Sequence, residues 1–277
     1  MLRAAERALL RRCRRLVVSS PGFLTNYFEA RHAGCYSALL VENRLQDHPA
    51  LGVRPPAPMS ADTRGAPLRI GWVGVLRCAR SLGLLLEIAQ TFGDKVRIEL
   101  HGTPALREIP DFHAQVAGHG NVVFHGRYQA PEDLARIYGG LDVVWAGDFM
   151  EAGYNSLWLL PNRLYEGGYF AVPPIAPAGC QTASWIEERA AGFVLDEPLD
   201  RSLTGLVARL LDDPRRIDER RMRLLRLPRE TFVEPAGEMR RLVEDALRPT
   251  AAEEPGVRAR PDTASGLAPS SWREAAE

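Results

Sequence analysis

The chain has 277 residues, of which 45% are hydrophobic and 25% charged, the proportions of a globular protein with room for one ordinary domain and something beyond it. Its 35 basic and 35 acidic residues cancel, which argues against nucleic acid as a partner, because phosphate-tracking proteins carry a basic excess. Lys95 is the only lysine. Arginine therefore does nearly all the cationic work, a bias that suits bidentate grips on phosphate or carboxylate and that a GC-rich genome also produces. Cys13, Cys35, Cys78 and Cys180 lie far apart with no C-x-x-C pair, which fits a reducing compartment and no disulfide framework or zinc site. No apolar run approaches the roughly 20 residues of a membrane span. Leu9-Leu10 runs straight into Arg11-Arg12, unlike a signal peptide, so the expectation is a cytoplasmic protein. The cluster Arg11, Arg12, Arg14 and Arg15 reads as a solvated helix face or as a contact with a membrane surface.

In chain order, the first segment offers a helix at 2–14, a strand at 16–19, a helix at 21–28 and a strand at 38–41. Two helices and two strands cannot cover a sheet on both faces, so residues 1–50 read as the end of a larger α/β domain. Residues 51–66 are rich in Pro, Ala and Gly and read as a linker. Strand patterns follow at 69–75, 96–102, 122–126, 141–146, 173–176 and 192–195, apolar on both alternations as strands covered on both faces should be. Between them the period turns helical. Leu82, Leu85, Leu86 and Ala89 mark one stripe, and Leu203, Leu206, Val207, Leu210 and Leu211 another. Pro131 with Glu132 and Asp133 opens a short helix that Gly139-Gly140 closes. This alternation predicts a doubly wound parallel sheet over 67–248. Beyond Pro249 few apolar residues remain except Trp272, the pattern of a disordered tail.

Chemistry concentrates at two strand ends. The first reads Gly71-Trp72-Val73-Gly74-Val75-Leu76-Arg77 and is followed by Arg80-Ser81 at a helix start. Glycine at a strand end admits a ligand to the backbone, and a helix amino terminus attracts phosphate. The same pattern also serves simple packing. The strand at 141–146 ends in Gly147-Asp148, then leads to Asn155-Ser156 and to Pro161-Asn162-Arg163, with Glu166 about a turn and a half into the next helix. Loops at strand carboxyl ends are where open α/β sheets hold ligands. A carboxylate at Glu166 is either a surface group or, if buried, an acceptor for a ribose diol. His32, His48, His101, His113, His119 and His125 show no metal-ligand spacing. His101 and His125 end two strands and either face the cleft or serve the structure. No G-x-S-x-G elbow and no G-x-G-x-x-G fingerprint is present, so neither hydrolase nor NAD chemistry has support.

These residues together resemble the later, donor-binding half of GT-B glycosyltransferases, close to family 4 and its bacterial exopolysaccharide-assembly members. Gly71, Gly74, Arg77 and Arg80 match the element that grips the donor diphosphate. Residues 121–126 match the family's N-V-x-F-x-G strand, and Leu134, Tyr138 and Asp142 its L-x-x-x-Y-x-x-x-D element. Glu166 through Ala176 resembles the element whose glutamate holds the nucleotide ribose, and the string NSLWLLPNRLYEGG looks like the exopolysaccharide-type enzymes. Two positions depart from the pattern: Trp158 stands where the family has a first glutamate, and the lysine that usually follows the first arginine is absent.

The resemblance implies retaining, metal-independent sugar transfer from a nucleotide sugar, a UDP-sugar before a GDP-sugar, to a glycan or lipid-linked acceptor. No cofactor beyond that donor is expected. Arg77, Arg80 and Glu166 would be the catalytic groups, and Gly74, Asp148, Asn155, Ser156, Asn162 and Arg163 would complete the donor site with Glu166. Contact with the inner membrane, self-association or a separate acceptor domain would fit such a chain. A nucleotide-sugar-binding module without turnover is the alternative, and an epimerase of similar shape is disfavoured by the NSLWLLPNRLYEGG string.

Overall fold

A computed structural model describes residues 2–55, 66–151, 153 and 155–247. Most of the expected linker and the whole expected tail with Trp272 lie outside the described residues. Residues 1–239 form one compact unit, and a second begins at Arg240 within the helix Glu238–Leu247.

Six parallel strands make the main sheet: β3 (Leu68–Leu76), β4 (Val96–Pro104), β5 (Val122–Gly126), β6 (Val143–Trp145), β7 (Pro174–Pro177) and β8 (Phe193–Leu195), in the order β5-β4-β3-β6-β7-β8. All six predicted strands are present, and the doubly wound arrangement is as expected. The sheet separates two cores. On one face Ile70, Trp72, Ile98 and Leu100 pack with Leu82, Leu85, Leu203 and Val207 from the helices Ala79–Phe92 and Leu199–Asp212. On the other, Val73, Val144 and Ala176 pack with Leu134, Leu164, Tyr165 and Ile186 from Leu134–Gly139, Asn162–Tyr169 and Gln181–Arg189. Both predicted leucine stripes therefore face the sheet. Burial of a leucine-sized side chain contributes roughly 1.5–3 kcal/mol, so these two stripes hold the layers together.

Glycines set two close approaches. A Cβ on Gly71 would stand 2.2 Å from Leu141 Cδ1, and one on Gly168 would stand 2.2 Å from Phe232 Cε1. Gly168 thus lets the helix Asn162–Tyr169 lie against a fully buried aromatic ring.

The first segment forms a helix, Leu2–Leu10, and a two-stranded parallel sheet of β1 (Leu16–Val18) and β2 (Ala38–Leu40). Between the strands run Pro21–Phe23, a π-helical turn at Leu24–Phe28, and Glu29–His32. The opening helix stops four residues short of the expected 2–14, where the charged run from Arg11 leaves no apolar face to continue. Residues 131–133 form a turn ahead of Leu134–Gly139 instead of its first turn; Asp133 accepts from the Gln129 amide at 2.9 Å and holds that turn. The first segment meets the main sheet's helices through Ser20, which donates to the Trp158 carbonyl, and through Asn43, which donates to the Leu160 carbonyl at 3.1 Å. Arg54 donates to the carbonyls of Tyr169, Leu224 and Leu227 and lies 4.8 Å over the Phe232 ring, so a charge near the start of the expected linker anchors two helix ends. Among the described residues no helix is long and apolar enough to cross a membrane.

Candidate active site

The strand order reverses direction between β3 and β6, and a crevice at such a switch point lies outside the carboxyl ends of the strands. A cleft of about 960 Å³ opens there, lined by Gly74 of β3 and Arg77 just past its end, by Gly102 and Thr103 of β4, and by Asp148 in the loop after β6. Gly74 and Gly102 face each other in register with φ of 117° and 134°. A Cβ on Gly102 would fall 1.7 Å from the Gly74 carbonyl oxygen, so only glycine permits this bare backbone floor.

Arg77 stands just ahead of the helix Ala79–Phe92, whose amino terminus carries partial positive charge. Its Nη2 lies 3.2 Å from Asp148 Oδ2, with the arginine 40% exposed and the aspartate 9%. Asp148 Oδ1 accepts from the Met150 amide at 3.0 Å and the Ser156 hydroxyl at 2.8 Å. Burial by itself would raise the Asp148 carboxyl, but the Met150 and Ser156 hydrogen bonds and the charges of Arg77 and Arg163 outweigh it and hold the group below its ordinary range. Asp148 is thus an anion at neutral pH that fixes Arg77 at the mouth and still leaves it solvent-facing.

Glu166 lines the opposite wall from inside Asn162–Tyr169, and only 7% of the residue is exposed. Its Oε2 accepts from the Tyr138 hydroxyl at 2.6 Å. Burial raises its carboxyl above the ordinary range, against the opposing effects of the Tyr138 hydrogen bond and the Arg163 charge. Of the two readings that the sequence left open, the buried one holds. Arg163 is also buried and donates to the Gly147 carbonyl at 3.0 Å and the Ala146 carbonyl at 3.4 Å. It satisfies the backbone where β6 ends, a positioning role that places Asp148. Asn162 is exposed on the cleft wall.

Not every expected site residue converges. Arg80 does not line the cleft: its Nη2 pairs with Glu197 at 2.9 Å, both half exposed, and its guanidinium lies 4.5 Å over the Phe149 ring. As the second residue of the helix Ala79–Phe92 it is turned toward Glu197 and Phe149 and away from the mouth. Ser156 acts through Asp148, and Asn155 starts the short helix Asn155–Trp158 away from the lining. His101 and His125 do not face the cleft. Although the histidines show no metal-ligand spacing along the chain, the fold brings Glu99, His101 and His125 together across two strands. Such a cluster is invisible to spacing along one strand.

Arg127, Tyr128, Gln129 and Asn43, which no motif marks as site residues, also line the cleft. The first three follow the Gly126 that ends β5, so the rule of ligand loops at strand carboxyl ends applied to them too. Two other motif residues have structural duties. Asn121 donates to the Ala89, Gly93 and Val96 carbonyls. Asp142 accepts from the Arg69 amide at 2.9 Å and from Arg221 at 3.0 Å.

The chain is 43% identical over 197 residues to the succinoglycan biosynthesis protein ExoL of Rhizobium meliloti, an overlap of 71% of this chain and 49% of that protein. The chain thus spans about half the length of the curated relative it matches. Among solved structures it is similar to Anabaena HepE in complex with UDP and glucose, at a TM-score of 0.67 and 12% identity over 88% of this chain and 66% of that one. It is also similar to the pneumococcal O-GlcNAc transferase GtfA in complex with UDP and GlcNAc, at 0.63 and 13% over 88% and 47%. No family model matches the chain. The fold is that of the GT-B glycosyltransferases.

Proposed function

We propose that this chain carries the nucleotide-sugar site of a glycosyltransferase of exopolysaccharide assembly, and that the transfer proceeds with retention and without a metal ion. The observation that carries the reading is Glu166. It is a buried carboxylate on the wall of a strand-end cleft, with one oxygen engaged by Tyr138 and the other available to accept from a diol. The 43% identity to a succinoglycan biosynthesis protein supports the polymer context. The fold shared with HepE, whose structure holds UDP and glucose, supports the donor class.

In this reading the donor's ribose hydroxyls donate to Glu166. The diphosphate lies over the Gly74–Gly102 floor, where backbone approaches without side chains, and meets Arg77 and the amino terminus of Ala79–Phe92. As the glycosidic C–O bond breaks, negative charge grows on the leaving diphosphate. A fixed arginine stabilises that charge without needing to reorganise, and Asp148 is the group that fixes it. The sugar hydroxyls face the Asn162 wall, and a glycan or lipid-linked acceptor enters from the open side. Asp148, Ser156 and Arg163 are positioning residues, and Arg77 and Glu166 are the groups that touch the donor.

Calorimetric titration with UDP-glucose, GDP-mannose and glucose 1-phosphate tests this. Saturable one-site binding of a nucleotide sugar, tighter than that of the sugar phosphate, is expected. Equal affinity for all three would overturn the ribose assignment.

A further inference from the structure

Glu99 and His101 stand two residues apart on β4, so their side chains leave the same face of the strand, opposite the core residues Ile98 and Leu100. The β4–β5 ladder pairs Leu100 with Phe124 and then skips to pair His101 with Gly126. His125 is the extra residue at that irregularity, and an insertion of this kind re-aims a side chain. Its ring lies parallel to that of His101, within 2°, with centroids 4.2 Å apart, and its Nε2 meets Glu99 Oε2. One potential ligand atom from each of the three residues falls within 4.8 Å of the others. Arg97 Nε holds the second Glu99 oxygen at 2.7 Å, an outer contact of the sort that orients a ligating group. His101 is 5% exposed and its ring makes no hydrogen bond among the described residues, whereas the His125 side chain is 36% exposed and leaves a path from solvent.

We propose that Glu99, His101 and His125 bind one divalent transition-metal ion of the zinc type, at a site outside the donor cleft. Two imidazoles and a carboxylate are a donor set that zinc takes with an open fourth position, and imidazole selects against magnesium and calcium. Binding replaces the His125–Glu99 hydrogen bond with bonds to the ion and parts the stacked rings, so that an in-plane lone pair of each reaches it at about 2.0–2.1 Å. Each histidine lies one or two residues before a cleft-lining position, His101 before Gly102 and His125 before Arg127. The ion would therefore clamp β4 to β5 at the margin of the cleft. This site does not depend on the proposed donor chemistry.

The test is calorimetric titration of the full chain, without an added histidine tag, with zinc chloride. One saturable site of micromolar or tighter affinity is expected, together with a zinc-dependent rise in the unfolding midpoint. His125→Ala, at a half-open surface position, should keep the unliganded melting curve and weaken zinc at least 30-fold. His113→Ala, an exposed histidine on the helix Phe112–Ala117, should leave zinc affinity unchanged. No one-site binding by the unaltered chain would overturn the site, as would His125→Ala binding within threefold of it. Magnesium binding as tightly as zinc would refute the imidazole donor set.

Discussion

Replacing Glu166 by glutamine separates a ligand-binding carboxylate from a structural one. The Tyr138 hydroxyl donates to Oε2 at 2.6 Å, and glutamine can keep that bond only by turning its single carbonyl oxygen toward Tyr138. Its amide nitrogen, a donor, then faces the cleft where a ribose diol needs an acceptor. Loss of a charge-assisted hydrogen bond costs about 1.5–3 kcal/mol, which is roughly 10- to 150-fold in dissociation constant. Glucose 1-phosphate has no ribose and should lose almost nothing. Stability moves in the other direction. The folded Glu166 holds its proton more tightly than the ordinary value of 4.5 allows, so its stabilisation is fully present below about 4.5 and is lost as pH rises through the folded value. Glutamine has no such dependence, so Glu166→Gln should match or exceed the parent in melting temperature at neutral pH. UDP-glucose affinity of the parent should correspondingly rise with pH through the same window and stay flat in the variant. Equal losses on UDP-glucose and glucose 1-phosphate in calorimetry, or a variant that melts well below the parent, would refute the ribose assignment.

Arg77→Ala should weaken UDP-glucose at least tenfold, because the diphosphate loses a bidentate partner; its ion pair with Asp148 is partly exposed, so melting should shift by no more than about 1 kcal/mol in stability. Arg80→Ala should leave affinity within about twofold, since its partners are Glu197 and Phe149, both outside the cleft lining. Gly168→Ala places a methyl group 2.2 Å from the Phe232 ring; chemical denaturation should show a loss of roughly 1–3 kcal/mol, and unchanged stability would mean the ring yields. Val17, Leu39 and Leu40 stand 48%, 39% and 40% exposed on the two-stranded sheet, and unpaired strand edges promote association. Light scattering should therefore find dimers or larger species, and a clean monomer that binds no apolar dye would count against this.

The sheet was legible because its strands are short apolar runs separated by helical stripes, and both properties come from burial on two faces. Leu82, Leu85, Leu203 and Val207 are core residues for the reason their spacing gives. Boundaries were less legible where a side chain decides them, as when Asp133 turns residues 131–133 out of the helix they were expected to begin. In the site, Gly74, Arg77, Asp148 and Glu166 were within reach because strand ends and helix starts are marked in the sequence. Arg80 was not, since the direction in which the second residue of a helix points, here toward Glu197, is not written in its spacing from Arg77. The Glu99, His101 and His125 group depends on a register shift between β4 and β5, which no single-strand pattern encodes. Arg54 likewise looked like part of a linker, because its three carbonyl acceptors come from residues more than a hundred positions away.

In the proposed site, arginine and backbone amides alone neutralise a nucleotide diphosphate. Titration of the unaltered chain with UDP-glucose in excess EDTA tests it most directly. One-site binding with the same affinity in EDTA as without it is the predicted result, with Arg77→Ala at least tenfold weaker under both conditions. Binding that disappears in EDTA and returns with magnesium or manganese would show instead that a metal ion neutralises the diphosphate.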